Sequence, residues 1–113
     1  MENCLFCKII KGEIPSAKVL ENDQVYAFRD INPQAPTHVL VVPKKHVSSG
    51  AEIDQLSDAE IAAGLKAVKQ IAAEESLSDG FRVVSNCGPD ACQSVPHLHF
   101  HILGGRKMGD RMA

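Results

Sequence analysis

Three of the chain's five histidines fall at alternate positions in the stretch His97-Leu98-His99-Phe100-His101-Ile102-Leu103. Imidazole is the side chain best suited to proton transfer, nucleophilic attack and metal ligation at neutral pH. A lone strand histidine is usually a satisfied structural residue, but three in five positions point to chemistry. With Leu98, Phe100 and Ile102 between them, the spacing predicts a half-buried strand over 97–103 with all three imidazoles on one face. Three protonated rings side by side would repel, so at least one must stay neutral or be taken up by a metal or partner.

A second set of reactive types sits at the other end of the chain. Cys4 and Cys7 have the Cys-x-x-Cys spacing, which reads as two small buried residues, as a redox dithiol, or as half a zinc site. His46 and one strand histidine would complete a Cys2His2 set, and a closed four-ligand site is structural. Cys87 and Cys92, five apart in a Gly/Pro loop, form a weaker ligand pattern and read as free thiols. His38 directly precedes an apolar run, where it either caps the strand end or reaches the triad. Asp30, Asn86 and Ser94 are each ordinary turn or cap residues when taken singly. Together with Gln93 they could supply neutral donors and a carboxylate around a phosphate held by the histidines. There is no Walker-type glycine motif and no acidic cluster for magnesium, and Lys44, Lys45, Arg106 and Lys107 read as solvated charges.

These residues need a scaffold. Asn3 to Lys11 reads as a short helix with Asn3 as N-cap, stopped by Gly12. Ala17–Leu20 and Val25–Arg29 flank Glu21-Asn22-Asp23 as a hairpin, and the two prolines of 31–36 make a loop. His38–Val42, apolar on both faces, predicts a central strand. Lys44 to Asp54 is loop with one helical turn. Ser57-Asp58-Ala59-Glu60 is a capping box opening the long helix, Ser57 to about Glu75, with Ile61, Leu65, Val68 and Ala72 on its buried stripe. Phe81–Ser85 is a fourth strand ending at Asn86, and the loop Cys87–Pro96 leads into the histidine strand, which Gly104-Gly105 ends. The fold class is α+β, with five strands in a mainly antiparallel sheet, one long helix and a short N-terminal helix.

At 113 residues, 44% hydrophobic and formal net charge -2, the chain suits a single domain, 1–113, with one modest core. The balance gives no basic excess to attract nucleic acid. No stretch approaches the ~20 apolar residues of a membrane helix, and the N-terminus lacks a signal-peptide layout. The expected compartment is the cytoplasm, where the thiols stay reduced.

The run His97 to Leu103 resembles the motif of the histidine triad superfamily, His-φ-His-φ-His-φ-φ with φ apolar, without a break. The likeness extends over Cys4-Leu5-Phe6-Cys7-Lys8-Ile9-Ile10, Ile14-Pro15, Ala27-Phe28-Arg29-Asp30-Ile31, Pro33-Gln34-Ala35-Pro36-Thr37-His38 and Gly104-Gly105-Arg106, and is nearest the Hint branch of nucleotide-binding proteins. That resemblance implies a homodimer joining two five-stranded sheets into ten strands. It also implies hydrolysis of purine nucleoside 5'-phosphoramidates of adenosine or guanosine to AMP or GMP. By position it implies that His99 attacks the α-phosphorus, that His38 orients this nucleophile, and that Asn86, Ser94 and His101 contact the phosphate or leaving group. Asp30 would bind ribose, and Leu5, Phe6, Ile9 and Phe28 would wall the base. Bacterial relatives with the N-terminal Cys-x-x-Cys imply a structural zinc on Cys4, Cys7, His46 and His97, with no catalytic metal required.

Two positions depart from the pattern. Cys92 stands where the family commonly has glycine, and Lys107–Ala113 lacks the Trp-Pro-Pro type ending of animal members. The competing readings are a dinucleoside polyphosphate hydrolase of a sister branch, a nucleotide-binding regulatory protein with little catalysis, and a small zinc-stabilised interaction module. Short length and Gly104-Gly105-Arg106 favour Hint, and an intact triad argues against lost catalysis.

Overall fold

A computed structural model describes residues 3–113. Helix α1 (Leu5–Ile10) is followed by strands β1 (Lys18–Glu21), β2 (Val25–Arg29) and β3 (Thr37–Pro43), a 3-10 helix (Gly50–Gln55), helix α2 (Asp58–Glu74), β4 (Phe81–Val84), a 3-10 turn (Pro89–Ala91) and β5 (Phe100–Gly104). The strands form one antiparallel sheet in the order β1-β2-β3-β5-β4. The expected α+β class and five-stranded sheet are what forms.

Alternation along the strands sends two sets of side chains to opposite faces. Val25, Ala27, Val39, Val41 and Ile102 meet Ala67, Val68, Ile71 and Ala72 of α2 and the buried Leu77. On the other face Tyr26, Phe28, Leu40 and Val42 meet Phe6, Cys7 and Ile9 of α1. Strand β3 is therefore buried on both sides from His38 to Pro43, as its unbroken apolar run requires.

Helix α2 opens with the expected capping box, Ser57 Oγ accepting from Glu60 N and Glu60 Oε1 from Ser57 N. Its stripe differs from expectation in one member: Leu65 is 51% exposed, and the inward positions are Gly64, Ala67, Val68, Ile71 and Ala72. Small residues let the helix lie close to the sheet, turning Leu65 outward. Its end is closed by a Schellman pair, Ser76 N–H to Ala73 O and Leu77 N–H to Ala72 O, with Ser76 at φ 60°.

Element boundaries also move: β1 takes in Glu21, expected in the turn, β3 extends by a residue at each end, and β4 stops at Val84, short of Ser85. Asn3 is not the cap of α1; Cys4 is, its Sγ accepting from Cys7 N at 3.4 Å. The histidine strand begins at Phe100 and not at His97. β3 runs out at Pro43, which has no N–H to continue a ladder, and β4 ends at Val84. The chain from His97 to His99 pairs elsewhere, Leu98 N–H donating to Val47 O at 2.8 Å.

Candidate active site and metal centre

Each triad histidine has one ring nitrogen fixed by a neighbour of known hydrogen-bonding type, and this settles what the other nitrogen offers. His97, fully buried, places Nε2 2.8 Å from Pro43 O. A carbonyl only accepts, so Nε2 carries the proton and the Nδ1 lone pair faces the other way. His99, also buried, places Nδ1 2.7 Å from the backbone oxygen of His97; its Nδ1 is the donor, so the lone pair of the neutral ring lies on Nε2. His38 Nδ1 accepts from Gln34 N–H at 3.0 Å, so its Nε2–H donates to His101 Nδ1 at 2.8 Å. That leaves His101 with Nε2–H as a free donor.

The Nδ1 atom of His97 meets a closed cluster. It lies 3.3 Å from Cys4 Sγ, 3.6 Å from Cys7 Sγ and 3.2 Å from His46 Nδ1, and Cys7 Sγ lies 3.4 Å from His46 Nδ1. One lone pair cannot serve three partners as a hydrogen-bond acceptor. A tetrahedral zinc with ordinary bond lengths has S···N edges of about 3.6 Å and N···N edges of about 3.3 Å. The four residues thus fit the metal in donor type and in spacing, with the Pro43 carbonyl holding His97 in the ligating tautomer. Burial and the neighbouring Cys4 push the Cys7 thiol up to about 11, and burial pushes His97 down to about 4. A cation would reverse the first, ligating Cys7 as thiolate, and suits the second.

The second cluster is Asp30, His38 and His101. Its 2.8 Å His38–His101 separation is that of a hydrogen bond and is shorter than a metal-centred N···N edge. Asp30 Oδ2 lies 3.5 Å from His38 Nε2, and Asp30 Oδ1 accepts from Asn32 N–H. Burial outweighs the nearby Asp30 carboxylate and holds His38 below its usual pKa; burial and the adjacent His99 and His38 push His101 down to about 4. Both rings are neutral at pH 7.

These groups look onto a cleft of about 370 Å³ whose lining includes Leu5, Phe6, Ile9, Phe28, Asp30, Ser94, His99 and His101. Phe6 stands edge-on to His99 at 5.0 Å between ring centroids and to Phe28 at 5.5 Å. A larger open hollow of about 500 Å³ runs along β1, lined by the ion-paired Lys18, Glu21 and Lys44, and carries none of the reactive groups. Apolar walls with a hydroxyl, a carboxylate, two imidazoles and, at the rim, Arg29 and Asn32 suit a flat aromatic ring joined to a sugar and a phosphate.

The cleft thus gathers eight of the residues singled out from sequence. His38 stands behind them, against His101 and not against His99, so it reaches His99 only through its neighbour. Gln93 holds the loop: its Oε1 accepts from Gly88 N–H, and its Nε2 donates to Ser48 O and Val95 O. Asn86 lies half-buried after β4, outside the cleft lining. Cys92 sits at φ 59°, ψ 38°, the left-handed region that glycine occupies without cost. Sequence reasoning missed Ile14, Pro15, Leu40 and Val95 as cleft walls, and Arg29, Ile31 and Asn32 beside Asp30, although Ile14-Pro15 follows α1 closely. It also missed the backbone groups of Gln34, Pro43 and His97 that fix the tautomers, for which residue type gives no signal.

A HIT domain family match spans residues 11–108. The solved structure of a HIT family hydrolase from Clostridium thermocellum superposes with TM-score 0.91 at 40% identity, covering 100% of this chain and 99% of that one. A 14 kDa zinc-binding protein of Zea mays is 54% identical over 92% of this chain and 83% of its own length. Adenylylsulfatase HINT1 of Arabidopsis thaliana is 48% identical over 92% of this chain and 72% of its own.

Proposed function

Because the chain belongs to the HIT family, on its Hint branch, we propose that it is a nucleotide hydrolase cleaving purine nucleoside 5'-phosphoramidates through a nucleotidyl-His99 intermediate. The observation that carries the proposal is the pair of opposed tautomers in one cleft: a bare Nε2 on His99 beside an Nε2–H on His101.

His99 attacks the α-phosphorus through Nε2, a P–Nε2 bond forms and the P–N bond of the substrate breaks. The leaving nitrogen departs as an amine with a proton drawn from solvent through the open side of the cleft. His99 then carries positive charge, which its Nδ1–H shares with the His97 carbonyl. His101 Nε2–H and the Ser94 hydroxyl hold the phosphoryl oxygens, and Gln93 braces the loop that presents Ser94. Water next attacks phosphorus, the P–Nε2 bond breaks, the water's proton returns to solvent and His99 is regenerated. Asp30 receives the ribose hydroxyls, and Leu5, Phe6, Ile9 and Phe28 enclose the base.

Cys4, Cys7, His46 and His97 would hold a structural zinc, which supplies cross-linking between α1 and the triad segment. No step of the hydrolysis calls for a catalytic metal. The working unit would be a homodimer of single 1–113 domains extended to ten strands. Edge strand β4 with exposed Phe81 and Val83, and the exposed Leu65, support that surface. Among the described residues no helix is long and apolar enough to cross a membrane, and the thiolate ligands suit a reducing, cytoplasmic setting. The name of the Arabidopsis relative supports a second leaving group on the same α-phosphorus, sulfate in place of an amine.

The test is release of AMP from an adenosine phosphoramidate, with intact-mass detection of a nucleotidyl adduct that His99→Ala lacks. Equal AMP release by wild type and His99→Ala would sink the mechanism.

A further inference from the structure

We infer that the four-residue metal cluster acts as an effector site for the nucleotide cleft, so that metal binding and nucleotide binding strengthen one another; this rests on the nucleotide reading of the cleft. Three contacts join the two. His97 presents Nδ1 to the cluster while its own carbonyl accepts from Nδ1 of His99, so one residue closes the metal set and fixes the nucleophile. Phe6 lies in sequence between Cys4 and Cys7 and packs edge-on against His97 and His99, at 6.0 and 5.0 Å. Leu5, Phe6 and Ile9, which form one wall of the cleft, all belong to α1, capped by Cys4 and containing Cys7.

A six-residue helix is far too short to persist by itself. Its attachment to the rest of the molecule comes from the apolar cluster around Phe28 and Leu40 and from the two cysteines. Metal bound by all four side chains ties α1 to His46 and to the triad segment, raising the fraction of molecules in which the base wall is formed. A nucleotide that requires that wall then pays less to order it. By linkage, nucleotide in the cleft must raise metal affinity by the same factor.

The experiment is AMP binding by calorimetry to zinc-loaded and chelator-stripped protein, paired with zinc affinity from chelator competition with and without saturating AMP. We expect each ligand to tighten the other by at least about fivefold, with equal factors in the two directions. Hydrogen exchange at the Lys8 and Lys11 amides, which donate to Cys4 O and Cys7 O, should slow with either ligand. Phe6→Leu, which keeps α1 apolar but shortens the link, should shrink the coupling while zinc still binds. Equal AMP affinity with and without zinc overturns this inference alone. If AMP fails to bind even the zinc-loaded protein, the nucleotide reading falls and this inference with it.

Discussion

The two histidine clusters lie side by side, use the same residue type, and prepare it for opposite ends. Around Cys4, Cys7, His46 and His97 four donor atoms converge on one another, and the contact between rings is 3.2 Å. Around Asp30, His38 and His101 the contact between rings is 2.8 Å, and a ring nitrogen is left over facing a cleft. The difference arises from backbone groups. A carbonyl at Nε2 turns the lone pair of His97 onto Nδ1, a carbonyl at Nδ1 turns that of His99 onto Nε2, and an amide N–H behind His38 leaves His101 with an Nε2–H to donate. Side-chain type brings imidazole to the site, and the tautomer decides its work.

Breaking the open side should have the largest effect. His99→Ala removes the only bare Nε2 of the cleft, and AMP release should fall by about 10⁴-fold or more in a steady-state assay while the fold persists. His101→Ala leaves the nucleophile but removes its partner donor, for a fall in kcat of about 10²–10³-fold. His38→Gln, acting through His101 alone, should cost less than His101→Ala in the same assay; an equal or larger loss would mean that His38 touches the substrate itself.

The closed side should answer differently. Cys7→Ser should lower zinc affinity by more than about 100-fold, beyond what loss of a supporting contact does, and lower the melting temperature; metal analysis and calorimetry read the two. A variant that keeps one zinc per chain at full affinity would remove Cys7 from the ligand set.

Acid should also act on the open side. His101 has its folded pKa held down at about 4 against an ordinary 6.5. The unfolded chain therefore takes up a proton on this group before the native one does. Its contribution to stability is complete above about pH 6.5 and is lost as pH falls toward 4. Urea midpoints across that range should fall more steeply for wild type than for His101→Asn.

The smallest expected change is at Cys92. Replacing it by glycine relieves a left-handed backbone by about 1 kcal/mol and should raise the melting temperature slightly with kcat unchanged.

Much of this was legible from residue spacing. The unbroken run Val39-Leu40-Val41-Val42 marked the central strand, and Ser57 with Glu60 marked the start of α2. What spacing could not convey was where pairing stops. Period two continues through His97 and Leu98, but strand length is set by the partners, and Pro43 and Val84 end theirs. Leu65 fits a helical stripe as well as Ala67 does; the close approach of α2 to the sheet selects the smaller residue. Likewise His38 adjoins an apolar run in sequence, and only the antiparallel register of β3 on β5 sets it against His101. Gln93 shows the reverse: a side chain rich in donors whose three bonds are all made within its own neighbourhood.

The strand order also bears on how the protein is made. β5 is last in sequence yet lies between β3 and β4, so while the chain is being synthesised β1, β2 and β3 can form a meander with α2 across it, but β4 has no neighbour to join. The metal set is equally incomplete until His97 has emerged to meet Cys4 and Cys7. Arrival of one late segment, His97 through β5, therefore closes the sheet, assembles the closed cluster and completes the cleft together, and a nascent chain stopped before residue 97 holds neither site.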